Sequence, residues 1–120
     1  MLQTTRELTG LLGSSTHQAY LSSYKLTPQW SAPEVLQGEG TYLESDVYSY
    51  GVLLWEIATR QLPWGDLQDA TELITDKVCR GDRPPVPQTA SQVLVKTMVR
   101  CWQGNPLGRP SFRDVVASLQ

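Results

Sequence analysis

Apolar residues recur with a helical period in four stretches of this 120-residue chain, and with no steady period in its first 29 residues. The densest stretch holds Val47, Tyr48, Tyr50, Val52, Leu53, Leu54, Trp55, Ile57 and Ala58. These residues cover nearly every direction around a helix expected from Asp46 to about Arg60, with Ser45 as its N-cap. A helix that is apolar all round in a globular chain lies inside it, so this one is expected to be the core. Ala70, Ile74 and Val78 follow at i, i+4 and i+8 on a helix opened by a capping box of Asp69 and Glu72 and ending near Gly81. Ser91 opens a further helix with Leu94, Met98, Cys101 and Trp102 on one side. Ser111 and Asp114 form another capping box ahead of Phe112, Val115, Val116 and Leu119.

The polar segments between these stretches carry the breaks. Pro33 fits the first turn of a short helix running to about Gln37, which Gly38 and Gly40 end. Leu62-Pro63-Trp64-Gly65-Asp66 interrupts the helical pattern, and Asp82 to Thr89, with Pro84, Pro85 and Pro87, reads as extended and irregular. Residues 1–29 are rich in Ser, Thr, Gln and Gly and read as a loop, with one short helical turn near Arg6 to Leu12. A loop of that length is unusual in a compact domain unless it is functional or disordered. No strand pattern and no internal repeat is present. The reading is a mainly α chain of about five helices behind a long N-terminal loop.

Composition narrows the classes. The net charge is −2, and Lys and Arg are scattered without a block, so nothing suggests nucleic acid or an anionic membrane as a partner. Cys79 and Cys101 fall in apolar helical contexts and read as reduced core thiols of a cytoplasmic protein rather than a disulfide or metal site. Met1 to Gly13 carries Arg6 and Glu7 and no long apolar run, unlike a secretory leader. The apolar run from Val52 to Trp55 is far too short to span a membrane.

Three motifs carry more specific information, and they occur in a fixed order. The first is Thr27-Pro28-Gln29-Trp30-Ser31-Ala32-Pro33-Glu34. The second is Ser45-Asp46-Val47-Tyr48-Ser49-Tyr50-Gly51 running into Leu54-Trp55-Glu56-Ile57-Ala58-Thr59 and Pro63-Trp64. The third is Cys101-Trp102, Pro106 and Arg109-Pro110-Ser111-Phe112. Together they resemble the protein kinase family, in its tyrosine-kinase and tyrosine-kinase-like branches, over about residues 14 to 120. The resemblance covers the C-terminal part of the large lobe: residues 1–29 as an activation-segment-like loop, and 30–120 as the second half of that lobe.

What the resemblance implies can be assigned to particular residues. Glu34 is expected to pair with Arg109 and tie the activation segment to the last helices, as a bidentate carboxylate–guanidinium pair. Asp46 is expected to anchor the central helix by accepting backbone hydrogen bonds from the catalytic loop, besides sitting well at a helix N-terminus. Thr27, Pro28 and Trp30 correspond to the substrate-side loop. The Thr27 hydroxyl favours Ser/Thr over Tyr specificity, although Leu26 stands where such kinases usually carry glycine. Ser14, Ser15, Thr16, Tyr20, Ser22, Ser23 and Tyr24 crowd the preceding loop as candidate phosphorylation sites.

The chemistry of phosphoryl transfer is not identifiable in these 120 residues. It needs a glycine-rich cradle, a lysine on the phosphates, metal-binding carboxylates and an aspartate to orient the acceptor hydroxyl. No Val-Ala-Ile-Lys, His-Arg-Asp or Asp-Phe-Gly occurs, and His17 is followed by Gln18 and Ala19. No catalytic, cofactor-binding or metal-ligating residue is assigned. ATP and Mg²⁺ belong to a complete parent kinase, whose partner is a protein substrate on the cytoplasmic side. The expectation is a kinase fragment inactive by itself; the alternatives are a non-catalytic protein-interaction module or a truncated gene product. With its covering half absent, the central helix is expected to expose an apolar patch that favours aggregation or loose packing.

Overall fold

The computed structural model describes residues 28–120. The loop expected over 1–29 therefore lies almost wholly outside the described residues. Five α-helices follow in order: α1 (Pro33–Leu36), α2 (Leu43–Thr59), α3 (Thr71–Cys79), α4 (Gln92–Cys101) and α5 (Phe112–Leu119). Two 3₁₀ turns, Gly65–Leu67 and Pro106–Gly108, punctuate the connections. Among the described residues there is no strand.

The helix expected from Asp46 to Arg60 forms, but starts earlier. Its N-cap is Tyr42, and Ser45 occupies the third helical position, where its Oγ accepts from the Tyr42 N–H at 3.2 Å. Ser45 is thus the return arm of a cap rather than the cap itself. Arg60 closes the helix in the left-handed region, its N–H donating to the Glu56 carbonyl. Asp69 does not cap α3: the backbone turns once more, with Ala70 N–H on the Leu67 carbonyl at 2.8 Å, and Ala70 takes the N-cap position. Ser91 and Ser111 do cap α4 and α5, accepting from the Leu94 and Asp114 N–H groups at 3.1 Å each.

Helix α2 is the axis of the fold. Tyr48, Val52, Leu54 and Trp55 enter a core shared with Ala32, Ile74, Val78, Met98 and Trp102. Val47 turns to a second cluster with Cys101 and Val115, against which Phe112 meets Tyr50 edge to face at 5.7 Å. The α2–α4 contact is close because Gly51 has no side chain: a Cβ there would stand 2.7 Å from Cys101 Cβ and 3.1 Å from the Met98 carbonyl. The bare apolar face expected on α2 is narrower than its sequence suggests. Leu43 and Ile57 are its exposed large apolar residues, Ile57 at 63%.

The proline-rich connector after α3 is extended and held at two points. Trp55 Nε1 donates to the Pro85 carbonyl at 2.7 Å. Arg83 donates to the carbonyls of Val78, Asp82 and Trp102 at 2.7–3.0 Å, pinning the connector to the ends of α3 and α4. Both cysteines are free thiols.

Candidate functional site

The described chain opens on a turn in which Ser31 N–H donates to the Pro28 carbonyl at 3.3 Å. Pro33, with its φ preset and no N–H to satisfy, takes the first position of α1. Glu34 follows in the first turn and is buried, although the helix is only four residues long. A buried carboxylate must be paired, and the partner comes from the far end of the chain.

Arg109 Nη1 lies 2.7 Å from Glu34 Oε2 and Nη2 lies 2.9 Å from Oε1, an end-on fork. The remaining N–H groups of the guanidinium go to the carbonyls of Glu44, Gln103 and Gly104, at 2.9, 2.8 and 3.2 Å. Ser45 Oγ donates to Glu34 Oε2 at 2.7 Å. Burial pushes the Glu34 carboxyl up, but the hydrogen bonds from Arg109 and Ser45 and the Arg109 charge outweigh it, leaving the group below its ordinary range.

Tyr48, fully buried, forms one wall of this site. The Arg109 guanidinium carbon stands 5.2 Å from its ring centroid, and that of Arg83 stands 5.1 Å away. Burial raises the phenol to about 12, against the pull of the two arginines. The ring therefore stays neutral and serves as a π surface for both cations.

A second set of bonds fixes the chain just before α1. Trp30 Nε1 donates to Glu56 Oε1 at 3.1 Å, and Ser49 Oγ donates to the Trp30 carbonyl at 2.7 Å. Ser45, Ser49 and Glu56 are spaced by four and seven on α2, so one face of that helix carries three of the side chains that grip the 30–34 run, with Arg109 as a further one. The arrangement is a clamp. Among the described residues no group of His, Cys, Asp and Glu could hold a metal ion, and no helix is long and apolar enough to cross a membrane.

A family profile described as protein tyrosine and serine/threonine kinase matches residues 9–119. The chain belongs to the protein kinase family. Dual specificity protein kinase shkC of Dictyostelium discoideum is 38% identical over 99 residues, which are 82% of this chain and 19% of that protein. Serine/threonine-protein kinase CTR1 of Arabidopsis thaliana is 39% identical over 94 residues, 78% of this chain and 11% of its own length. Mitogen-activated protein kinase kinase kinase 7 of Bos taurus is 33% identical over 99 residues, 82% and 17% respectively. This kinase chain thus spans a fifth or less of the curated relatives it matches.

Within this kinase segment the structure brings Glu34 and Arg109 together and buries Asp46 in the first turn of α2. Pro28 is buried and Trp30 half-buried beside them. Thr27 lies outside the described residues, as do Ser14, Ser15, Thr16, Tyr20, Ser22, Ser23 and Tyr24. Sequence reasoning missed Ser45 as a ligand of Glu34, Glu56 as the acceptor for Trp30, and the Tyr48–Arg83 contact. The spacing of Ser45, Ser49 and Glu56 on one face of the central helix was the available signal.

Proposed function

We propose that this chain forms the substrate-side part of the helical lobe of a serine/threonine protein kinase, and that its 120 residues alone do not transfer phosphate. The observation that carries the reading is the bidentate Glu34–Arg109 pair, which binds the Trp30–Glu34 run to the end of the chain. In the family this run follows the loop that receives the substrate. Thr27 would offer its hydroxyl toward the catalytic aspartate, and Pro28 and Trp30 would shape the surface beside the acceptor residue. The serine/threonine and dual-specificity names of the relatives favour Ser/Thr acceptors over Tyr.

The reading of inactivity rests on chemistry. Phosphoryl transfer is positioning and charge stabilisation around ATP and Mg²⁺, and the sequence offers no lysine, glycine-rich loop or metal-binding aspartate in the required motifs. In a longer protein that supplied them, nucleotide and metal would sit on that part, and this chain would present the protein substrate on the cytoplasmic side.

A radiometric assay separates the two levels. The purified chain, given labelled ATP, Mg²⁺ and a generic acceptor protein, is expected to incorporate no more label than a mock preparation. A longer protein carrying His-Arg-Asp and Asp-Phe-Gly upstream is expected to label Ser and Thr. Turnover by the 120-residue chain would overturn the proposal of inactivity.

A further inference from the structure

The last two turns of α2 carry a surface that the chain itself leaves open. Ile57 is 63% exposed, more than any other large apolar residue of that helix. Leu53, one turn before it, is half-buried, and Leu62, just past the helix, is 50% exposed. The three border a hollow of about 340 Å³ whose other walls are Glu56, Arg60 and Gln61. Removing such apolar side chains from water is favourable whatever covers them, so it is the charges that select the partner.

Those charges are one anion and one cation, Glu56 and Arg60, four residues apart on the same wall. They do not pair with each other: the ion pairs of the described residues join Lys77 and Arg80 to Asp82, and Arg109 to Glu34. Glu56 accepts from the Trp30 indole at 3.1 Å, a bond that uses one of its two oxygens. Arg60 closes α2 through its backbone N–H, and its guanidinium has no partner among the described residues. A wall with one charge of each sign matches neither an acidic nor a basic partner. It matches itself turned through half a circle. A two-fold axis crossing the face midway between positions 56 and 60 sets Glu56 of each copy against Arg60 of the other, with the two Ile57 side chains beside the axis. Crossed charge pairs beside an apolar seam are what fix partner and direction between paired helices.

We propose that this face of α2 is a self-association surface, and that its occupant is a second copy of the chain related by a two-fold axis. Leu53, Ile57 and Leu62 of the two copies cover each other, and the two Glu56–Arg60 pairs set the register. Two helical turns from each copy fall well short of a standard interface of about 1,600 Å², so the association is weak and reversible. The contact involves neither nucleotide nor metal, and it stands whether or not the chain transfers phosphate.

Sedimentation equilibrium of the full chain, from about 5 to about 500 μM, is expected to show a monomer–dimer equilibrium with Kd on the order of 100 μM. Ile57→Asp and Arg60→Glu, both at exposed positions, should each raise Kd about tenfold or more with an unchanged circular dichroism spectrum. Val116→Ser on α5, away from the face, should leave Kd as it was. Glu56→Arg sets like charges across the axis and should weaken self-association as Arg60→Glu does. Mixing these two charge variants, one of them labelled, is expected to recover a dimer, because two anions on one copy then meet two cations on the other. If Glu56→Arg loses its fold along with the Trp30 bond, Ile57→Asp and Arg60→Glu decide the matter by themselves. A monomer over the whole range would assign the face to another occupant and overturn the proposal. So would a dimer or larger aggregate that Ile57→Asp and Arg60→Glu leave unchanged, or a mixture of folded charge variants that stays monomeric.

Discussion

Arg109 and Glu34 stand 75 positions apart in the chain and face each other through two hydrogen bonds of 2.7 and 2.9 Å. Arg109 is the more thoroughly held of the two, with its other N–H groups on three backbone carbonyls. Removing either side chain leaves buried charge without its partner, at a cost of about 3–5 kcal/mol. Arg109→Ala and Glu34→Ala are therefore expected to lower the melting temperature sharply in thermal scans followed by circular dichroism. Arg109→Lys keeps the charge but loses the fork and most of the carbonyl bonds, so it should fall between wild type and Arg109→Ala. A wild-type melting temperature in Arg109→Ala would refute the role given to the pair.

The same pair predicts an acid limit. The Glu34 carboxyl is depressed in the folded chain relative to its ordinary value of 4.5. Its stabilising contribution is fully present above pH 4.5 and is lost as pH falls through the lower folded value. Denaturant titrations across this window should show stability declining with falling pH. Glu34→Gln should be less stable at neutral pH and show a shallower decline below pH 4.5. Parallel profiles for the two proteins would show that other carboxylates set the acid limit.

Gly51 offers a test in which two effects oppose each other. Replacing a helical glycine with alanine ordinarily stabilises by about 0.5–1 kcal/mol. Here the added methyl would lie 2.7 Å from Cys101 Cβ and 3.1 Å from a backbone carbonyl, so α2 and α4 must part. Overpacking of this kind costs about 1–3 kcal/mol. Gly51→Ala is expected to be net destabilising in chemical denaturation, and a stabilised variant would show that the helices can separate freely.

The two cysteines should differ in reactivity. Cys101 is buried, and burial pushes its thiol up to about 11, so at neutral pH it is both covered and protonated. Cys79 is only half-buried, its thiol raised more modestly by burial and by the charge of Asp76. Titration with a chromogenic disulfide should show one thiol reacting in the folded chain and the second only after denaturant is added. Two equally fast thiols would contradict the packing of α4 against α2.

Much of this fold is legible in the sequence because its signals are local. The all-round apolar pattern of α2 announces burial, and Ser91 and Ser111 announce the starts of α4 and α5. Local signals fail where a side chain has business elsewhere. Ser45 looks like a cap because it precedes an apolar run, yet its hydroxyl donates to Glu34 and it sits inside the first turn. Asp69 looks like a cap, but the extra turn at Leu67–Ala70 moves the start of α3 past it. Within the clamp, Glu34 and Arg109 could be matched only through the family resemblance. Arg83 could not be matched at all, since its partners are backbone carbonyls and an aromatic face that leave no mark in local sequence.

Tyr48 gives two distant parts of the chain a common boundary. One ring borders both Arg83, which secures the connector behind α3, and Arg109, which secures the run before α2. The socket that holds Glu34 and the anchor of that connector therefore share one wall, a single buried phenol, although the segments they secure are far apart in the chain.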